Sequence, residues 1–202
     1  MTLPTPCQSV NQPTITCTPD TPGTYIITVK VTDSANNSVS ASGTLTVIYP
    51  NMLLNSKFET SVPTSWSKYS YGTLPTNPYI YPEVGLTGKC AAIDFGTGNT
   101  YTGTASWIQS ILSISPNTIY KLSGYMKLQN VAGNAIIEAQ WKDSSGAYIS
   151  TGRIANKNGT IGWTNYSGNI TSPLNAAKVV ILLRLRNSTG KVYFDNISFS
   201  KQ

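Results

Sequence analysis

Two carboxylates stand in apolar surroundings near opposite ends of the chain's larger part. Glu59 closes the run NMLLNSKFE at 51–59, and Asp195 lies inside VYFDNISF at 192–199. A carboxylate held among apolar strand residues costs several kcal/mol unless a cation or hydrogen bonds compensate it. Both runs read as edge-of-sheet strands of one β-sandwich. An ion gripped by both acids would fasten the ends of that domain together. The alternative is pairing with Lys57, Lys89 or Lys191.

The remaining side chains speak against catalysis. There is no histidine, so neither a Ser-His-Asp nor a Cys-His arrangement can form. A glycosidase needs two carboxylates facing each other across a cleft. Of the eight acids, Glu59 and Asp195 are drawn to the ion site, Asp33 and Asp143 fall in turn sequences, and Glu138 has no evident partner. The glycines punctuate turns and form no phosphate-binding loop. The chain is therefore expected not to be an enzyme.

Three cysteines make an odd count. Cys7 and Cys17 could close a small loop, and Cys90 in KCAAIDF reads as a buried thiol. Without histidine a zinc site is not expected. A Cys7–Cys17 bridge would imply an oxidising compartment, and Asn-x-Ser/Thr sequons at Asn36, Asn158, Asn165, Asn169, Asn187 and Asn196 point the same way.

Charged residues make up only 11% of the 202, and the net charge is +6. The basic residues are scattered, the close pair being Arg184 and Arg186 with Lys191 beyond. Nucleic-acid binders concentrate their charge, so no nucleic-acid partner is expected. No apolar run approaches the ~18 residues of a membrane span, and no membrane partner is expected. The first residues, MTLPTPCQSV, lack the basic start and apolar core of a signal peptide. The expectation is a piece excised from a larger, secreted or cell-surface protein.

These side chains must be positioned by strands. Period-two alternation dominates, with turn residues every ten or so positions, which predicts an all-β fold. TYIITVKVT (24–32), the turn DSANNS (33–38) and SASGTLTVI (40–48) form a hairpin resembling the closing hairpin of a PKD-type or immunoglobulin-like domain. A complete domain of that kind has roughly seven strands and ~100 residues, so 1–49 is read as a partial one. From 50 to 202 follows a self-contained domain with strands expected at 52–59, 90–95, 104–114, 119–129, 135–143, 147–155, 163–171, 178–187 and 191–200. The segment 60–89 shows no clear strand, and irregular stretches of that length are usually functional.

In order, NMLLNSKFE, Trp66, GKCAAIDF, SWIQSILSISPNTIYKLSGYMKL, AQWKDSSG, the Gly-Trp of TIGWTNYSG and VYFDNISF resemble the galactose-binding-like jelly-roll carbohydrate-binding modules, especially families 4, 16 and 22. One departure is Asn55-Ser56-Lys57, where the family often has Asn-Gly. The resemblance implies a jelly-roll β-sandwich preceded by a short immunoglobulin-type hairpin. It implies a structural Ca2+ held by the carboxylates of Glu59 and Asp195 and by backbone carbonyls near Lys57 and Lys89, a hard-oxygen donor set that calcium accepts. It also implies a non-catalytic, monomeric module that holds a glucan, xylan or mannan for a tethered glycoside hydrolase. The alternative is a structural or adhesive domain of a cell-surface, appendage or phage-fibre protein.

Sugars stack their C–H faces on aromatic rings and need hydrogen bonds for their hydroxyls. Alternation puts Ile137, Ala139 and Trp141 on one face of their strand and Glu138 and Gln140 on the other. It separates Val179, Ile181, Leu183 and Leu185 from Val180, Leu182, Arg184 and Arg186, and sets Tyr125 and Lys127 opposite Met126 and Leu128. The expected sugar-binding set is Tyr125, Lys127, Glu138, Gln140 and Arg184, with Trp66 and Trp163 as stacking rings. Trp107 and Trp141 are expected in the core, and the tyrosines Tyr69, Tyr71, Tyr79 and Tyr81 could wall the groove.

Overall fold

The computed structural model describes Cys7, residues 22–60 and residues 65–202. The described residues form ten strands: β1 (Gly23–Thr32), β2 (Ser38–Val47), β3 (Ser67–Tyr71), β4 (Tyr79–Val84), β5 (Lys89–Asp94), β6 (Tyr101–Ile111), β7 (Ile119–Lys142), β8 (Tyr148–Thr171), β9 (Lys178–Ser188) and β10 (Lys191–Lys201). No helix among the described residues is long and apolar enough to cross a membrane. The chain divides into two units, Met1–Pro50 and Asn51–Gln202.

In the first unit β1 and β2 pair antiparallel from Gly23↔Val47 to Thr32↔Ser38. Asp33 builds the turn: its Oδ1 accepts the backbone N–H of Ala35 at 2.9 Å and of Asn37 at 2.8 Å. Asn36 takes the left-handed conformation that the turn demands, φ 66°. Cys7 is disulfide-bonded, whereas Cys17 lies outside the described residues.

The second unit is a jelly-roll sandwich made by two bent strands. β7 and β8 are each 24 residues long, far beyond the usual strand of about five or six. The first half of β7 pairs with β10, the second half with β9, and β8 follows β7 along both halves. One layer is therefore β3-β6-β9 with the second half of β7 and the first half of β8. The other is β4-β5-β10 with the first half of β7 and the second half of β8. The bend on β7 sits between Leu128 and Ala135, where the register against β8 shifts. Gly133 lies there because a Cβ would come within 2.0 Å of the Asn187 carbonyl.

Between the layers lies an apolar core. Trp107, Trp141, Tyr120, Phe194 and Phe199 are at most 1% exposed. Tyr120 and Phe199 stack at 4.9 Å with planes 8° apart. Burying each such side chain is worth about 1.5–3 kcal/mol. Trp107 and Trp141 occupy the core as expected.

Three expectations are corrected. Residues 52–59 are not a strand: Asn55 and Phe58 have φ of 43° and 55°, which breaks an extended run. The segment is instead tied to β10 by its backbone, with Met52 N–H donating to Phe199 O at 2.8 Å and Ile197 N–H to Ser56 O at 2.9 Å. β10 is not an edge strand but lies between β7 and β5. Residues 60–89 contain β3 and β4, which form the two ends of the strand order.

Candidate functional site

Residues directly opposite each other in an antiparallel ladder point to the same face. On β9, Val179, Ile181, Leu183 and Leu185 face the core, so Val180, Leu182, Arg184 and Arg186 face away from it. The registers extend that outer face in rows. Tyr71, Thr104, Arg186 and Asn134 form one row, and Tyr69, Ser106, Arg184, Ile136 and Asn156 the next. Ile108, Leu182, Glu138 and Arg153 form a third, and Ser110, Val180, Gln140 and Thr151 a fourth.

This face is turned away from the core yet its centre is buried. Ser106 is 0% exposed, Thr104 and Glu138 1%, and Arg184 7%. Glu138 is clamped by two guanidinium groups: Arg184 Nη1 lies 2.9 Å from one carboxylate oxygen, and Arg153 Nη2 lies 2.8 Å from the other. Around that clamp, hydrogen-bonding capacity is left over. Thr104 Oγ1, Ser106 Oγ, Arg184 Nε and Arg186 Nε are all buried without a partner. A buried polar atom left unpaired costs about 1–3 kcal/mol. Four of them lie on two adjacent strands, β6 and β9. Beside them, on edge strand β3, Tyr69 and Tyr71 are 49% and 51% exposed, with ring centroids 6.1 Å apart. At the end of the Arg184 and Arg186 rows, Asn134 and Asn156 line an open depression of about 400 Å³ with Gly133, Lys157, Asn158 and Ile161.

Of the expected sugar-binding residues, the structure brings Glu138, Gln140 and Arg184 together on this face. Tyr125, Lys127 and Trp163 lie on the outer face of the other layer. There Lys127 Nζ is 4.6 Å from the Tyr193 ring centroid, Trp163 meets Tyr193 edge-on at 6.2 Å, and Tyr125 stands opposite Asp195. The expected set thus combined two faces of the sandwich, because β7 carries Tyr125 and Lys127 in one layer and Glu138 in the other. Trp66 is also corrected. It is 4% exposed, packs on Phe58 at 5.3 Å and donates its indole N–H to the Asn55 carbonyl at 3.3 Å, so its ring is part of the core. Thr104, Ser106, Arg153 and Arg186 were not singled out. The alternation of TGTASWIQS, with Ala105 and Trp107 inward, carried the signal for the first two.

The two acids of the opening argument converge on the turn between β4 and β5. Asp195 is 0% exposed; its Oδ2 accepts the Leu86 N–H at 2.9 Å and its Oδ1 the Asn196 N–H at 2.7 Å. Burial pushes its pKa up, with a smaller upward contribution from Glu59. A Cβ on Gly85 would lie 2.7 Å from both Asp195 Oδ2 and the Lys89 carbonyl oxygen, so glycine leaves room for oxygens to converge. Glu59 reaches the other side of the turn, its Oε1 3.3 Å from Lys89 N, where a Cβ on Gly88 would collide with its carboxylate. Lys57 lies exposed in the turn just before. Lys191 is taken by Glu83 at 2.5 Å, and among the described residues no ion pair reaches Glu59 or Asp195. A buried carboxylate without a cation, a carbonyl oxygen beside it and a second carboxylate on the same turn fit a hard cation such as calcium. Among the described residues no group of three or more His, Cys, Asp or Glu is placed to hold a metal ion.

On the other side of that turn, Cys90 is fully buried, and burial pushes its thiol up to about 12. It is therefore a protonated packing residue at neutral pH.

No protein-family model matches the chain, and no curated protein matches it. Solved structures do. A bacteriophage CBA120 tailspike protein 4 enzymatically active domain aligns with TM-score 0.58 at 14% identity, over 75% of this chain but only 21% of the phage protein. A "Family 16 Carbohydrate Binding Module-2" aligns with TM-score 0.51 at 20% identity, over 74% of this chain and 99% of the module. A carbohydrate-binding module structure from the β-sandwich superfamily aligns with TM-score 0.50 at 16% identity, over 94% of this chain and 79% of the other. At these identities the likeness concerns the fold: the chain carries the jelly-roll β-sandwich on which such modules are built.

Proposed function

We propose that residues 51–202 form a non-catalytic polysaccharide-binding module. The ligand lies across the outer face of the β3-β6-β9-β7-β8 layer. The observation that carries this reading is the floor of unpartnered buried polar atoms, Thr104 Oγ1, Ser106 Oγ, Arg184 Nε and Arg186 Nε, beside the exposed Tyr69 and Tyr71. Sugar C–H faces stack on the exposed rings, and sugar hydroxyls meet the Arg153 and Arg186 guanidinium groups, which are not fully buried. The phage tailspike domain, an enzymatically active one, shares the fold, so fold alone does not separate binding from catalysis; the exposed tyrosines beside the arginines favour binding.

Catalysis finds little support on this face. Glu138 has both carboxylate oxygens engaged by arginines, and no second carboxylate stands in its rows, whereas glycoside hydrolysis uses a pair. The module would act by raising the local concentration of a glycan for a tethered partner, in a secreted or cell-surface protein. Calcium, in this reading, is structural. Glu59 and Asp195 would supply carboxylates, and the Lys89 carbonyl a further oxygen; the ion would neutralise Asp195 and lock the 51–60 segment, the β4–β5 turn and β10 together.

Affinity electrophoresis against a panel of soluble polysaccharides tests the binding role. Retardation by at least one glycan, lost in a Tyr69→Ala/Tyr71→Ala variant, is expected. Migration unchanged by every glycan would remove the reading.

A further inference from the structure

Resting on that reading, we infer that the groove is built for an acidic glycan, one whose sugar rings bear carboxylates, rather than for a neutral glucan, xylan or mannan. The floor carries three guanidinium groups, Arg153, Arg184 and Arg186, against one carboxylate, Glu138. Glu138 takes Arg153 and Arg184 as its partners, which leaves an excess of two positive charges by that count. Arg186 is paired with no carboxylate among the described residues, and its Nε is buried without a partner.

A neutral sugar offers such a site only hydroxyl dipoles. A guanidinium edge matches a planar carboxylate with two parallel N–H···O bonds. Arg186 stands directly opposite Thr104, whose hydroxyl is likewise buried and unpartnered, and the same holds one row along for Arg184 and Ser106. Ser106, Thr104 and Arg184 are buried, whereas Arg186 is only partly buried and presents the rest of its guanidinium to a substituent. The Arg186 row, lacking a carboxylate of its own, is the seat for the ligand's acid group. The Arg184 row, whose guanidinium already meets Glu138, suits a neutral ring beside it.

The test uses matched polymers: glucuronoxylan, polygalacturonate and alginate, each intact and after chemical reduction of its carboxyl groups, with a sulfated xylan as a further arm. Calorimetry on the full chain should show at least one intact acidic polymer bound roughly ten-fold or more tightly than its reduced form, the factor one charge-assisted hydrogen bond supplies. That ratio should shrink as ionic strength rises from about 0.05 M to about 0.5 M. In Arg186→Gln, shown folded by its circular dichroism and melting midpoint, the ratio should fall toward one. The salt series on the unmodified protein decides the matter if that variant does not fold. Equal affinity for intact and reduced polymers overturns the inference while the groove reading stands. Sulfated xylan bound as tightly as the carboxylated polymers overturns the carboxylate assignment. Failure to bind any polymer overturns both readings.

Discussion

Ser106 and Arg184 face each other across the β6–β9 ladder, and each leaves a buried polar atom without a partner. One row away Thr104 and Arg186 repeat the relationship. Interiors rarely tolerate such atoms in groups. The repetition on one face is what the proposed binding role would account for.

Tyr69 and Tyr71 are half exposed, so their rings contribute little to folding. Truncating either to alanine is expected to weaken glycan binding roughly five-fold, the factor one stacking ring supplies. The melting midpoint should stay within about 1 °C of the parent. Calorimetry with differential scanning on the same samples separates the two effects. A large loss of midpoint would show that the tyrosines serve the fold.

Glu138 and Arg153 should behave asymmetrically. Glu138→Ala strips the counter-charge from the buried Arg184 and is expected to cost about 3 kcal/mol in urea unfolding. Arg153, whose side chain is 42% exposed, should cost about 1 kcal/mol or less on truncation because water replaces its contact. Equal losses would contradict the burial assigned to this clamp.

The Glu83–Lys191 pair sets a pH signature. The hydrogen bond from Lys191, first among several causes, holds the Glu83 carboxyl below its usual 4.5. A depressed carboxylate contributes stability that is fully present above its unfolded pKa and is lost as pH falls through the folded one. The stability difference between the parent and Lys191→Met should be steady from about pH 7 to about pH 5 and narrow below 4.5. It should not vanish, because Lys191 Nζ also sits 4.8 Å from the Tyr193 ring. A difference that stays flat down to about pH 3 would count against the pair.

Gly85 offers a probe of the ion site that touches no carboxylate. Adding a methyl there meets Asp195 Oδ2 and Lys89 O at 2.7 Å and should cost on the order of 1–3 kcal/mol. In the parent, calcium after chelation should raise the melting midpoint; in Gly85→Ala that response should be lost. A parent midpoint indifferent to chelator and to added calcium would defeat the clamp.

Much of the fold was readable because a strand writes its burial with a period of two. VVILLRLR at 179–186 displays a core face and a mixed face without further information, and the hairpin around DSANNS follows from turn chemistry. The meeting of the domain's two ends was legible only as a relationship. β10 and the 51–59 segment do meet, but through a turn-rich stretch in which Asn55 suits its left-handed conformation while Phe58 takes one that no propensity favours. Trp66 sits outside any alternating run, so nothing local distinguished a stacking ring from one packed on Phe58.

By itself the sequence determined the all-β class, the absence of a histidine-based catalytic centre, and which residues of each strand share a face. Only the tertiary structure decided which faces coincide. Alternation specifies two sides of a strand but not the layer to which each part of a long strand belongs. Because β7 crosses between layers near Gly133, Lys127 and Glu138 end on opposite sides of the sandwich. Arg184, Arg186, Thr104 and Ser106, far apart in the chain, become neighbours through the pairing of β6 with β9.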